Sequence, residues 1–393
     1  MKGHIRKRGE RSWSIIIDLD RGPDGKRKQK WHAVQGTKKE AERKLTEILH
    51  SMSTGFYVEP SKLTVGDFLD RWLTEYAQRQ VSGKTHERYA SIVKLHLKPE
   101  LGNIALSRLQ PLQIEAAYTK WMKTGRKKKD LEGPKGLSPR TVLQHHRVLH
   151  KALKMAVRWQ LLARNPADAV EPPRFEQKEI RPLDEAGTAW MLEFARGTRL
   201  YVPILFSVAV GTRRGETLAL RWIDLDLEAG MVSVRRSIEQ TKDCLRFKET
   251  KGKGARVLPL PSLLVEALKS HQIEQKEIAA TLGREHNSGC LVFPNDEGGI
   301  WRPDNFTSAF VTLTEKSGLK GVRFHDLRHS HASQLLRQGV HPKIVQERLG
   351  HSGIAVTMDI YSHVLPGMQE RASQGFDDAL RSAIKKLSIA RPQ

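Results

Sequence analysis

The segment spanning residues 170–182 most constrains how this chain can fold. Glu171-Pro172-Pro173-Arg174 and Arg181-Pro182 punctuate a polar stretch with neither helical nor strand period, and Pro166 lies just before it. Proline lacks the backbone donor that helices and sheet ladders require, so no continuous element is expected to cross this segment. Whatever folds on either side must bury its own core. A chain of 393 residues has room for two or three domains of ordinary size. The sequence divides into residues 1–58, residues 62–168, a linker over 169–182, and residues 183–393.

In the first division Trp13, Ile15, Ile17 and Leu19 alternate onto one face, and Arg21-Gly22-Pro23-Asp24-Gly25 then breaks the chain, the pattern of a hairpin. A basic strand over residues 26–34 follows. Thr37-Lys38-Lys39-Glu40 has the form of a capping box that opens a helix running toward His50. Fourteen Lys or Arg stand against seven Asp or Glu in residues 1–50. That excess, on a sheet of this size, suits insertion into a nucleic-acid groove.

The second division reads as helical. Thr64 and Asp67 can cap a helix whose Val65, Phe68, Leu69, Trp72 and Tyr76 fall at helical spacing. Ser138-Pro139 forms an N-cap and N1 pair, and Val142, His146, Leu149, Leu153 and Ala156 recur at steps of three and four. Between them Gly125-Arg126-Lys127-Lys128-Lys129, followed by Gly133 and Gly136, reads as an exposed loop beside a bound backbone. Past the linker, residues 232–237 and 255–260 read as short strands. Residues 263–280, residues 305–317 and the stretch after His325 read as helices.

Charge limits the partners. Lys plus Arg number 67 against 44 Asp plus Glu, a formal net charge of +23, which makes a polyanion the natural ligand. No apolar run approaches the ~20 residues that span a bilayer. The basic N-terminus, Met1 to Arg8, is not followed by an apolar segment of the export type. Cys244 and Cys290 are the only cysteines, which excludes a disulfide framework or a paired-cysteine zinc motif. The expectation is a cytoplasmic, DNA-associated protein with no membrane role.

The third division concentrates groups that bind or cleave phosphate: Arg213, Lys251, His325, Arg328, His351 and Tyr361. His325 and Arg328 are three apart, so one helix presents an imidazole and a guanidinium together, while Leu327, Leu335 and Leu336 can anchor it inward. Pro342 starts the next helix and Gly350 ends it, leaving His351 on a capped turn; Tyr361 follows on a short helix. Strand cleavage without water needs a nucleophile, donors for the non-bridging oxygens and a proton for the departing hydroxyl. This set supplies each. A tyrosyl phosphodiester keeps the bond energy, so rejoining needs no ATP. Ser82-Gly83-Lys84-Thr85 ends like a P-loop, but Gln78 stands where the earlier glycine is required.

Four strings in order, Gly211-Thr212-Arg213-Arg214-Gly215-Glu216, His325-Asp326-Leu327-Arg328-His329, Leu349-Gly350-His351 and Ile360-Tyr361-Ser362-His363, resemble the tyrosine recombinase family, in particular phage-type and conjugative-transposon integrases. The first division is similar to their arm-type DNA-binding module and the second to their core-binding domain. The resemblance implies an α+β multidomain fold: a small N-terminal three-stranded sheet plus helix, an all-α core-binding domain, and a mainly α catalytic domain with a small antiparallel sheet. It implies a site-specific recombinase that integrates, and excises, a mobile element through a 3′-phosphotyrosine. Arg213 and Arg328 would clamp the scissile phosphate. His325 and His351 would hydrogen-bond it or move protons, with His325 the better acceptor for the Tyr361 proton. Lys251 would protonate the leaving 5′ oxygen, with Lys248 and Lys253 as alternatives, and Glu216 would orient its neighbours. Thr212 stands where such integrases usually carry a bulky apolar residue.

The same resemblance implies no cofactor or metal, and double-stranded DNA bound at core and arm-type sites. It also implies a homotetramer on DNA linked through a terminal helix over residues 370–387, with an excisionase or DNA-bending protein as further partner. Two other readings compete. His325-Asp326-x-x-His329 could place two zinc ligands one helical turn apart. Alternatively, the chain could be a DNA-binding regulator that keeps the fold without cutting.

Overall fold

The computed structural model describes residues 2–18, 29–53, 62–126, 134–176, 182–249, 255–361 and 368–389. The chain separates into two compact units, Met1–Gln177 and Lys178–Gln393.

The first unit contains two distinct cores. Strands β1 (Lys2–Gly9), β2 (Ser12–Asp18) and β3 (Gln29–Gln35) form an antiparallel sheet in chain order. Ile15 and Ile17 of β2 are fully buried, and with Ile5, Val34 and helix α1 (Lys38–Ser53) they make the smaller core. Strand β1 is heavily charged, which hides its alternation; Ile5 alone joins its core. The expected capping box is present: the Glu40 carboxylate accepts from Thr37 N at 2.6 Å, and Glu40 N donates to the Thr37 hydroxyl at 3.3 Å. Leu19 and the turn at residues 21–25 lie outside the described residues.

Helices α2 (Val65–Trp72), α3 (Gly83–Ile92), α4 (Pro111–Thr124) and α5 (Pro139–Arg158) build the larger core. Thr64 and Asp67 cap α2 reciprocally, and Ser138 caps α5 through Thr141 N. Val142, Leu149, Leu153 and Ala156 are buried as the spacing requires. His146 departs from expectation, since it is half-buried and bonds the Tyr118 hydroxyl at 2.8 Å, while its neighbour His145 enters the core. A wide apolar face reaching Val148 and Ala152 turns the centre of burial toward His145. Most of the basic loop, residues 127–133, is outside the described residues.

The second unit begins with α6 (Glu185–Ala195), α7 (Tyr201–Val210) and α8 (Arg214–Leu218). Five strands follow: β4 (Leu225–Asp226), β5 (Met231–Val234), β6 (Arg236–Gln240), β7 (Leu245–Glu249) and β8 (Arg256–Pro259). They pair antiparallel in the orders β4-β5-β8 and β6-β7. The two strands expected from sequence were too few. The first breaks at Arg235 into β5 and β6, which take different partners, and β7 is too polar to announce itself. Helices α9 (Ser262–Thr281), α10 (Pro303–Lys316), α11 (Phe324–Arg337), α12 (Pro342–Leu349), α13 (Ile354–Tyr361) and α14 (Met368–Ile389) complete the unit. Phe306, Phe310, Phe324 and Leu327 pack with Met191 and Ile204, so α11 runs through the interior. Among the described residues, no helix is long and apolar enough to cross a membrane.

Candidate active site

Helix α11 is polar yet enclosed: Asp326, Arg328, His329, Ser330, His331 and Ser333 are all buried. Buried polar groups require partners, and the partners of this helix define the site. Arg328 is 2% exposed. Its guanidinium donates to the Gly211 carbonyl at 2.7 Å and to the Leu349 carbonyl at 2.6 Å. Both carbonyls lie where α7 and α12 end, the negative pole of each helix.

Glycine makes these turns possible. Gly211 and Gly350 take φ of 73° and 64°, a left-handed conformation costly for other residues. A Cβ on Gly211 would come within 2.6 Å of the His331 ring, and one on Gly350 within 2.9 Å of the Arg256 guanidinium. The sequence string Gly211 to Glu216 is therefore a helix stop, a close approach and a helix start compressed together.

Arg213 caps α8. Its Nη1 donates to Glu216 at 2.8 Å, its backbone N–H donates to the same carboxylate at 2.9 Å, and Nη2 reaches the Gly350 carbonyl at 3.4 Å. Arg256 also grips Glu216, donating from Nη1 to Oε1 and from Nη2 to Oε2. Burial raises the Glu216 pKa, but Arg256 and then Arg213 outweigh it and bring the carboxyl to about 2. Glu216 is thus a fixed anion that aligns two arginines. Sequence reasoning missed Arg256; the signal available was its position two residues before inward-facing Leu258 on a strand. Arg214, in the same string, is turned away and donates to the Pro303 carbonyl and the Thr307 hydroxyl.

Thr212 is 1% exposed and its hydroxyl shares a 2.8 Å hydrogen bond with that of Thr217. The polar residue is satisfied inside the core.

Tyr361 is 2% exposed and packs on Ala332, Leu336, Val345 and Leu349. Its hydroxyl is hydrogen-bonded to His329 Nδ1 at 2.7 Å. Burial pushes the phenol up to about 12, against the pull of the Arg328 charge. His329 is pushed down to about 4, first by burial and then by His325. The His325 and His329 rings meet edge-to-face at 4.9 Å. His325 keeps an exposed edge, yet enough protein surrounds its ring that desolvation, then Arg328, lower its pKa. His351 Nδ1 shares a 2.9 Å hydrogen bond with the Thr357 hydroxyl, and burial, Arg328 and Arg213 bring it to about 4.

The described residues of the expected set therefore fall into one electrostatic neighbourhood. Burial, then the Arg213 charge, lower Arg328 to about 9, which leaves it cationic at neutral pH. Three guanidiniums and one carboxylate leave two positive charges beside three neutral imidazoles, a setting for a single phosphodiester anion. Lys251 and Lys253 lie outside the described residues. Lys248 is paired with Glu239 at 3.3 Å. The pattern suggesting zinc has other partners: Asp326 pairs with Arg323 and His329 with Tyr361. No group of three or more His, Cys, Asp or Glu placed to hold a metal occurs among the described residues.

Comparison with known proteins bears on the same regions. Residues 175–367 match the phage integrase family, residues 64–122 a phage integrase N-terminal SAM-like domain, and residues 4–52 an arm DNA-binding domain. The chain is 28% identical to a XerC-like tyrosine recombinase of Caldanaerobacter subterraneus, over 96% of this chain and 98% of that protein. It is also 28% identical to the ICEBs1 integrase of Bacillus subtilis, over 62% of this chain and 67% of that protein. Its fold matches the Tn1549 transposon integrase in complex with a circular intermediate DNA (TM-score 0.64, 19% identity, 83% of this chain and 99% of that one). It also matches a lambda integrase dimer bound to a core site (TM-score 0.55, 17% identity, 91% and 93%).

Proposed function

Since this chain belongs to the tyrosine recombinase family, we propose that its second unit cuts and rejoins DNA with Tyr361 as nucleophile and Arg213 and Arg328 as the phosphate clamp. The protein is a site-specific DNA recombinase of the integrase type. The observation that carries the assignment of residues is the pre-set Arg328: buried, held by two helix-terminal carbonyls, and charge-coupled to Arg213, His351 and Tyr361.

The phenolic oxygen attacks phosphorus as the P–O5′ bond breaks, leaving a 3′-phosphotyrosine and a 5′ hydroxyl. Arg213 and Arg328 hold the non-bridging oxygens, where planar guanidiniums add charge and direction at little reorganisation cost. Glu216, gripped by Arg256, keeps Arg213 aimed. His351, positioned by Thr357, donates to the phosphate. Lys251 protonates the departing oxygen; the Lys248–Glu239 pair supports this choice over Lys248, because it commits that lysine elsewhere. The reverse attack by a 5′ hydroxyl on the tyrosyl phosphate rejoins a strand.

Residues 1–58 would bind arm-type sites, residues 62–168 core sites and residues 183–393 carry the chemistry, with 169–182 between them. A homotetramer on DNA supplies the four strand cleavages that exchange between two duplexes requires, and helix α14 is the element proposed to link protomers. An excisionase or DNA-bending protein would set direction. A nicked DNA substrate tests the reading: the wild type should trap a covalent adduct in EDTA, and Tyr361→Phe should bind DNA and trap none. Lys251→Ala should regain cleavage on a substrate with a bridging 5′ sulfur. If Lys248→Ala regains it instead, the lysine assignment moves.

A further inference from the structure

We infer that His329, not His325, is the catalytic residue that receives the Tyr361 proton as the phenolic oxygen attacks. This rests on the recombinase reading above and deepens it.

The geometry favours His329 on three counts. It touches the reacting atom, with Nδ1 2.7 Å from the phenolic oxygen. It belongs to rigid α11 and is buried, so its ring cannot swing away without opening the core. The His325 ring meets that ring edge-to-face with centroids 4.9 Å apart and keeps an exposed edge, whereas the hydrogen bond to the phenol is made by His329.

Proton positions follow from charge. The phenol is neutral in the resting protein, and the Arg328 charge favours the lone pairs of its oxygen. Proton transfer to His329 requires that the hydroxyl hydrogen point to Nδ1, with the imidazole proton on Nε2. Groups facing His329 are His325, Asp326 and Arg328 along α11, Arg323 at its N-cap, Tyr361 from α13 and His351 from the turn after α12. Burial first, and then the excess of positive over negative charge among them, make the resting imidazole resist protonation. With the phenol near 12 and the imidazole near 4, the proton does not move in the free enzyme. It moves as the new P–O bond strips the oxygen of its basicity, with the bound phosphate anion offsetting the arginine charge around His329.

The step balances. Tyr361 Oη bonds to phosphorus, P–O5′ breaks, the phenolic proton passes to His329 Nδ1, and a proton from the general acid goes to the 5′ oxygen. In rejoining, His329 returns its proton to the released phenol. This arrangement also keeps an unliganded nucleophile silent, because a neutral buried phenol does not attack water-borne electrophiles.

The test is single-turnover cleavage of a nicked DNA substrate at saturating protein, for wild type, Tyr361→Phe, His329→Asn, His329→Ala and His325→Asn. Asn can accept the phenol hydrogen bond but cannot take the proton. His329→Asn and His329→Ala should each lose on the order of 10²-fold in cleavage rate, the size of a general-base contribution, with DNA affinity and melting temperature kept for the Asn variant. The acid limb of the pH–rate profile should vanish in His329→Asn and persist in His325→Asn. A His329→Asn rate within a few-fold of wild type would reduce the residue to a positioning role and overturn the inference. A faster His329→Ala would make it a latch, also against the inference. Should both variants fail to fold, nitrogen-15 NMR of labelled histidine in the intact wild-type chain decides: an Nε2–H tautomer for His329 supports the inference, and an Nδ1–H tautomer overturns it. The recombinase reading fails separately, and only if the wild type traps no adduct or Tyr361→Phe still does.

Discussion

Each unit buries a histidine cluster, and the two look alike until their company is compared. In the first unit His145 is 3% exposed and pushed down to about 4 by burial, then by His96. Its ring stacks on His96 at 4.5 Å and meets Trp121 edge-on at 5.2 Å, and its Nδ1 has no hydrogen-bond partner among the described residues. In the second unit His329 carries nearly the same depression for the same leading cause, but it bonds a phenol and lies beside guanidiniums that are already oriented. A perturbed imidazole alone therefore does not mark an active site. What separates the clusters is the fixed positive charge, held by helix-terminal carbonyls and by one carboxylate, with a nucleophile inside it.

The strongest way to break this comparison is to remove the charge. Arg328→Ala should cut adduct formation by about 10²- to 10³-fold, as loss of one transition-state donor does elsewhere, while gel-shift affinity changes only a few-fold. Loss of binding in proportion to cleavage would return Arg328 to general DNA contact. Next in size is the alignment device. Arg256→Ala frees one side of Glu216, lets its carboxyl rise from about 2 toward the ordinary range, and should slow cleavage about 10-fold with a modest loss of melting temperature. Arg256→Lys should restore part of the rate. A fully active Arg256→Ala would mean that Arg213 needs no such support.

The packing cluster should answer differently. His145→Phe should leave cleavage unchanged and alter only acid stability. The folded pKa of His145 lies below the ordinary 6.5, so its contribution is complete above about 6.5 and is lost as pH falls toward about 4. The wild-type loss from this one group is on the order of 3 kcal/mol, and chemical denaturation at pH 7 and pH 4.5 should show that the Phe variant loses less. The smallest effect belongs to the exposed pair His150–Asp168, 2.7 Å apart. Asp168→Asn should cost at most about 0.5–1 kcal/mol and nothing in cleavage.

Much of this was legible in the sequence because short-range physics wrote it there. Thr37, Thr64 and Ser138 cap the helices they were expected to cap, and Gly350 ends its helix as expected, in the left-handed conformation. The three-stranded sheet, the helical middle and the mainly helical second unit follow the expected α+β plan. The rest depended on contacts between distant residues. Arg256 meets Glu216 across 40 positions and His329 meets Tyr361 across 32; no local period carries either pairing. The family resemblance favoured His325 over His351 for the Tyr361 proton and left His329 out, whereas the hydrogen bond goes to His329, one turn later. The spacing put His146 on the buried face where His145 stands instead, since adjacent residues on a broad helical face differ mainly in what the next helix offers them.

The most direct measurement is to trap the adduct on a nicked, end-labelled DNA, digest the protein and map the modified residue by mass spectrometry. The account predicts one modified peptide, with Tyr361 joined to a 3′ phosphate and a free 5′ hydroxyl on the other strand end. A linkage at any other residue, attachment to a 5′ phosphate, or hydrolysed DNA with no adduct would contradict it.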